Sequence, residues 1–345
     1  MKLFLHPGHA KCGSTSIQKA IIRNRAPLAE RGIVVPDHEL RLPGEPGFSP
    51  HGETPREFFR RLMETQDMQP LASRLNAWRE SSSWRDGTFL ISAENLINHL
   101  MGPIGRAIHG LLAETFESVE VVYYIRRQDE YLLSAWQQWG FKQGKSFATY
   151  LEEARKRSNP HFWAVSQVFG QIYGANQVAV VPLDRHALRE GDLLTDFFHR
   201  LMGDTAALDF DKTRSNVSWN PYLCEVLAEK RELFRDIHDD DLKQRLLKLL
   251  GPGSELFRRE SAFMSPEDAI SIMAHHEEEN RRLHRHFFPG TDFDAVFGTQ
   301  ATSAVSRGEA EAMSLERERE IYKRAIWDLI GLLQSEARSQ AAQPA

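Results

Sequence analysis

The sequence predicts an α/β protein of three layers, a central parallel sheet covered by helices, running on into a mostly helical C-terminal part. Three observations predict it. Short apolar runs alternate with amphipathic segments through about residue 205, the pattern of βαβ units. The run Val121-Val122-Tyr123-Tyr124-Ile125 is continuously apolar and β-prone, as a strand covered on both faces must be. Beyond residue 216 the pattern changes to charged segments with spaced Leu, Ile and Phe.

Taken in order, the strands are expected at Lys2–His6, Gly32–Val35, Thr88–Ser92, Val119–Ile125 and Gln177–Pro182, each a short β-prone run. Helices are expected at Ser16–Arg31, Gln128–Lys142 and Asp192–Met202 between them. Residues 41–57 (RLPGEPGFSPHGETPRE) are rich in Pro and Gly and read as a long loop, a length that in a compact domain marks function or mobility. Three charged helical stretches follow, Pro221–Leu250, Pro266–Phe288 and Glu309–Gln334, and the last ten residues read as a frayed tail. One domain over 1–305, helical from about 217, is expected to suffice, with 306–345 as a C-terminal helix and tail.

Composition narrows the function. The chain has 345 residues, 41% apolar and 26% charged, too apolar for disorder and long enough for a full core. Its net charge of -5 argues against a general nucleic-acid binder, which needs a basic excess. Two cysteines, Cys12 and Cys224, exclude a disulfide scaffold and fit a reducing compartment. With neither a secretory apolar region after Met1 nor a membrane-length apolar run, the expectation is a cytoplasmic protein that does not span a membrane.

Two segments carry chemistry. The first strand runs into His6-Pro7-Gly8-His9-Ala10-Lys11-Cys12-Gly13-Ser14-Thr15 and then a helix. A strand, a glycine-bearing loop and a helix N-terminus form an anion cradle, because main-chain N–H groups and the helix dipole both favour negative charge. Against the nucleotide-binding P-loop, G-x-x-x-x-G-K-[ST], the glycine spacing and Thr15 match. Ser14, however, stands where that loop needs lysine, and Lys11 lies three residues earlier. The second segment is Arg126-Arg127-Gln128 through Trp136, which follows the fourth strand. An arginine at a strand's carboxyl end and Ser134 eight residues later can converge on one phosphate, at the sheet edge where ligands of such folds bind.

Together these segments resemble the sulfotransferases that use 3′-phosphoadenosine 5′-phosphosulfate (PAPS). The family's 5′-phosphosulfate loop reads approximately G-x-x-K-[TS]-G-[TS]-[TS]; Gly8 to Thr15 matches it, with Cys12 as the departure. Its 3′-phosphate motif is an arginine at a strand end and a serine eight residues on, matched by Arg126 and Ser134. Asn24 to Ile33, Gln177 to Leu183 and Asn280 to Leu283 are similar to further segments of bacterial members. The resemblance implies a P-loop-like fold, PAPS as donor, and Lys11, Cys12, Gly13, Ser14, Thr15, Arg126 and Ser134 as its binding residues. It also implies that Arg214, in a late basic loop, closes over the 3′-phosphate.

The reaction chemistry asks for two further things. Charge develops on the bridging oxygen of the leaving phosphate, and Lys11 is suited to meet it. The acceptor hydroxyl needs a base, for which the candidates are Glu94, directly after the Thr88–Ser92 strand, and His51 in the long loop. His6 and His9 could orient substrate or pack. No metal is expected: His275-His276-Glu277-Glu278-Glu279-Asn280 begins like a zinc signature but lacks its second histidine. Trp136, Trp139 and Phe141 are expected in the core. The acceptor is expected to be a glycan, a lipid-linked sugar or a small metabolite. The alternatives are a P-loop-type nucleotide kinase or ATPase, against which Ser14 argues, and a protein that binds PAPS without catalysis.

Overall fold

The structure is a computed structural model and describes residues 1–81, 84–210, 217–258, 260, 263–298 and 315–331. In chain order its strands and α-helices are β1 (Lys2–His6), α1 (Ser14–Arg23), α2 (Arg25–Glu30), β2 (Ile33–Val34), α3 (Arg56–Thr65), α4 (Gln69–Glu80), β3 (Thr88–Ser92) and α5 (Pro103–Thr115). There follow β4 (Ser118–Ile125), α6 (Gln128–Ala135), α7 (Phe147–Arg157), α8 (Phe162–Tyr173), β5 (Val178–Pro182), α9 (Leu193–Met202) and α10 (Pro221–Ala228). The last are α11 (Asp241–Leu250), α12 (Pro266–His275), α13 (Glu277–Phe287), α14 (Phe293–Phe297) and α15 (315–331).

The fold is α/β, and the described strands form one all-parallel sheet in the order β2-β3-β1-β4-β5. His6 pairs with Ser92 and Ile125 with Pro182, so the ends of β1, β3, β4 and β5 share one carboxyl edge. Successive strand residues face opposite ways. Tyr123 accordingly meets Phe162 and Phe169 of α8, while Tyr124 donates to Asp196 of α9 at 2.8 Å. Helices thus cover both faces of the sheet. On β3, Phe89 stacks on Trp78 of α4 and meets Phe116 edge-on.

The chain divides into two compact units. The first comprises 1–127, 160–213 and 277–297 and holds the sheet. The second comprises 128–159, 214–276 and 298–345, and its described residues are mostly helical. In it, α6 widens to a π-turn at Trp136–Gly140 and a 3-10 turn at Phe141–Gln143, with Trp136 and Phe141 buried and Trp139 half-buried.

Several expected helices are interrupted. Ser16–Arg31 breaks at Asn24, because Pro27 has no N–H to give to the Arg23 carbonyl and the Asn24 amide donates back to Ala20 O instead. Pro221–Leu250 breaks over 229–240. There Asp236 accepts from the His238 N–H, and Asp239 from those of Arg235 and Asp241, groups a helix would need. Pro266–Phe288 breaks at His276, the C-cap of α12. Of Glu309–Gln334, residues 315–331 are helical and the rest lie outside the described residues, as does the frayed tail. The second strand is shorter than expected, since left-handed Gly32 precedes it and Pro36 follows.

Candidate anion site at the carboxyl edge of the sheet

The loop after β1 is built from backbone. Gly8, Lys11 and Gly13 all have positive φ, at 62°, 66° and 84°. The left-handed region is costly for a lysine and is held only where surroundings impose it, which happens most at ligand sites. A turn closes the loop, with the Cys12 N–H donating to His9 O at 3.0 Å. Gly13 is the N-cap of α1 and supplies no side chain, and no acid stands in the first turn. The first-turn N–H groups and the positive end of the helix dipole thus stand without a side-chain cap or a countercharge of that turn.

Both loop glycines answer to neighbours far away in the chain. A Cβ on Gly8 would stand 3.2 Å from Cα and Cγ of Glu94, and one on Gly13 would stand 2.3 Å from Leu193 Cδ2 at the start of α9. Gly8 therefore makes room for Glu94, a purpose that glycine spacing alone does not reveal. The Ser14 hydroxyl, buried, donates to Glu94 Oε1. Lys11, Glu94 and Arg126 all act electrostatically on the Cys12 thiol, which burial pushes up to about 12. Cys12 is thus protonated at neutral pH and packs as a small apolar group.

The remaining expected residues divide as follows. Thr15 is exposed beside the loop, and His51 is exposed in the chain between β2 and α3. Among the described residues no hydrogen bond joins His51 to Lys11, Ser14 or Glu94. Ser134 lies half-buried on α6, in the second unit. Arg214 lies outside the described residues. His6 and His9 are buried and neutral. His6 shares a hydrogen bond with Ser92 at 2.8 Å, His9 shares one with Tyr123 at 2.7 Å, and burial lowers each to about 3.

The turn that carries Glu94 (Glu94–Ile97) is anchored by residues that sequence reasoning passed over. His109, fully buried on α5, donates from Nε2 to Leu96 O at 2.7 Å, so its Nδ1 accepts from the Tyr173 hydroxyl at 2.7 Å. The Asn95 amide donates to Arg56 O at 3.0 Å. The sequence signal for His109 was a lone histidine on the apolar side of Pro103–Thr115, which by itself says only that the ring is buried.

Among the described residues, no group of three His, Cys, Asp or Glu side chains is arranged to hold a metal ion. None of the described helices is long and apolar enough to cross a membrane. No protein-family model matches the chain, and no curated protein is similar enough to count as a match.

Proposed function

We propose that the protein is a sulfotransferase that moves a sulfuryl group from PAPS to an acceptor hydroxyl, on a glycan, a lipid-linked sugar or a small metabolite, in the cytoplasm. The observation that carries the reading is the meeting of Glu94 with Ser14 across a left-handed loop that also holds Lys11. One sheet edge then offers a cation, hydroxyls, uncapped helix N–H groups and a carboxylate. In-line transfer asks for that combination. The S–O bond to the donor phosphate breaks as the bond to the acceptor oxygen forms, Lys11 neutralises charge on the leaving phosphate, and Glu94 accepts the hydroxyl proton.

The Ser14 hydroxyl has one proton to give. Donating it to a phosphate oxygen instead of Glu94 would release the carboxylate for the acceptor, so donor binding and base activation are coupled in this reading. Arg126, at the carboxyl end of β4, supports it as the cation for the donor's 3′-phosphate. The test is a thermal-shift series with 3′-phosphoadenosine 5′-phosphate (PAP), the product nucleotide. At 100 times its dissociation constant PAP adds about 2.7 kcal/mol, and ATP does far less. Equal or greater stabilisation by ATP with magnesium overturns the reading. The acceptor is found by a donor-dependent mass gain of about 80 Da, the added SO3 that in-line transfer leaves behind.

A further inference from the structure

The long loop after β2 is held by two buried, opposite charges that act on one another and take their hydrogen bonds from the loop's own main chain. Arg25, at the start of α2, is 6% exposed. Its Nη1 donates to Ser49 O at 3.1 Å, to Pro50 O and to Gly52 O at 3.4 Å, and Nη2 donates to Pro36 O at 3.2 Å and Gly52 O at 3.4 Å. The guanidinium carbon also lies 5.7 Å from the Phe48 ring centroid. Asp37, wholly buried, accepts from the N–H groups of Glu39 at 2.8 Å, Arg41 at 2.9 Å and Ser49 at 3.0 Å. A buried charge is tolerated only where fixed dipoles replace its water, so the loop and the two side chains stabilise one another or not at all. A lysine at position 25 brings three donors on one atom and cannot fan across four carbonyls.

The loop stands in a definite place. β2 ends at Val34, beside β3, and β2 runs parallel to it, so the loop leaves at the same edge as Lys11, Glu94 and Arg126. It ends where Asn95, the neighbour of Glu94, grips Arg56 O. Along the order β2-β3-β1-β4, Arg126 and Lys11 stand at the ends of β4 and β1, Glu94 follows at the end of β3, and this loop comes next. With the donor on the β1 and β4 ends, the acceptor is left the β3 and β2 side.

We infer that Arg25 is a positioning residue for the acceptor. Together with Asp37 it holds residues 36–52 as a fixed wall beside Glu94, not as a closing lid, and the wall selects which hydroxyls reach the base. The word acceptor rests on the sulfuryl-transfer reading; the bracing of the loop does not.

The test uses the full chain and Arg25→Lys. By hydrogen exchange, the amides of Glu39, Arg41 and Ser49 are expected to exchange roughly tenfold faster or more in the variant, with Lys2–His6 unchanged. PAP affinity, by calorimetry, stays within about twofold, while with 4-nitrophenol as the hydroxyl probe the acceptor KM rises roughly tenfold and kcat moves far less. Should Arg25→Lys not fold, Asp37→Asn keeps the volume and is expected to free the same amides. Unchanged exchange in 36–52 overturns the assignment of Arg25. So does a fall in PAP affinity as large as the rise in acceptor KM, the mark of a purely structural role. A wild type that binds no PAP and sulfates no phenol sinks the sulfuryl-transfer reading alone.

Discussion

Two loops leave neighbouring regions of the same sheet edge, and they keep their shapes by different means. The loop after β1 is short and is shaped by its own backbone, with left-handed residues at Gly8, Lys11 and Gly13. The loop after β2 is long, and it is shaped by Arg25, which precedes the strand, and by Asp37, which opens the loop. A short loop presents main-chain N–H groups in a fixed array, which suits a feature common to all donors, a phosphate. A long braced loop presents side chains in a fixed array, which suits a feature that differs between acceptors. On the proposed sulfuryl-transfer reading, that difference would assign the donor to the one loop and the choice of acceptor to the other.

The largest expected effect tests whether the β1 loop and the Glu94 turn act as one catalytic unit. Glu94→Gln keeps the shape and cannot take a proton, so turnover should fall by about 10²–10⁴-fold with donor binding kept, while His51→Ala does less harm. Measured kcat and PAP affinity decide it. Loss of turnover in His51→Ala with near-normal Glu94→Gln would move the base to the β2 loop and break the comparison.

Next in size is Lys11→Ala, expected to lower kcat roughly 10²-fold or more, set against Arg126→Ala, which should act mainly on donor KM because the 3′-phosphate does not react. Effects confined to KM in both variants would mean that the lysine only binds.

Acid should weaken the surroundings of the β1 loop. His6, His9 and His109 are buried neutral, lowered by burial to about 3, 3 and 4. An unfolded chain protonates each from about 6.5 downward, so it binds more protons than the folded one and stability falls as pH drops through that window. Above pH 6.5 the contribution is fully present. The slope approaches about 1.4 kcal/mol per pH unit for each histidine, or about 4 for the three. Denaturant unfolding between pH 7 and 5 measures it, and a flat profile would mean that these rings are not held neutral.

The smallest effect compares the loops directly through one glycine from each. Gly13→Ala and Gly44→Ala both force alanine into a left-handed backbone, at about 1–2 kcal/mol. Only at Gly13 does a Cβ also meet a neighbour, the Cδ2 end of the half-buried Leu193 side chain at 2.3 Å, which has to turn aside, so its variant should cost slightly more, whereas a Cβ on Gly44 meets nothing within 4 Å. Equal midpoints in urea would show that the β1 loop gives way more easily than its packing implies.

Much of the edge could be read in the sequence. The boundaries of β1 and β3 follow from apolar runs cut off by polar or glycine residues, and Gly8 and Gly13 mark two of the left-handed turns of the loop after β1. Asn24 and Arg25 are plain in the sequence, yet their work was not readable. Asn24 grips residue 209, donating to Asp209 O and accepting from its N–H, 185 residues away. Arg25 grips carbonyls, which every residue has and no pattern marks.

What the sequence by itself determined is whatever a few consecutive residues can dictate. That covers the α/β class, the strands as β-prone runs, the left-handed turns at glycine, and the helix starts capped by Asp192, Asn220 and Ser265. Tertiary structure alone decided that Glu94 meets Ser14 across 80 residues, that His109 holds Leu96, and that a Cβ on Gly8 would crowd Glu94. The physical reason is that backbone preference acts within a turn or two. A hydrogen bond between distant side chains instead depends on strand order, and the same strands in another order would carry the same local patterns with different neighbours.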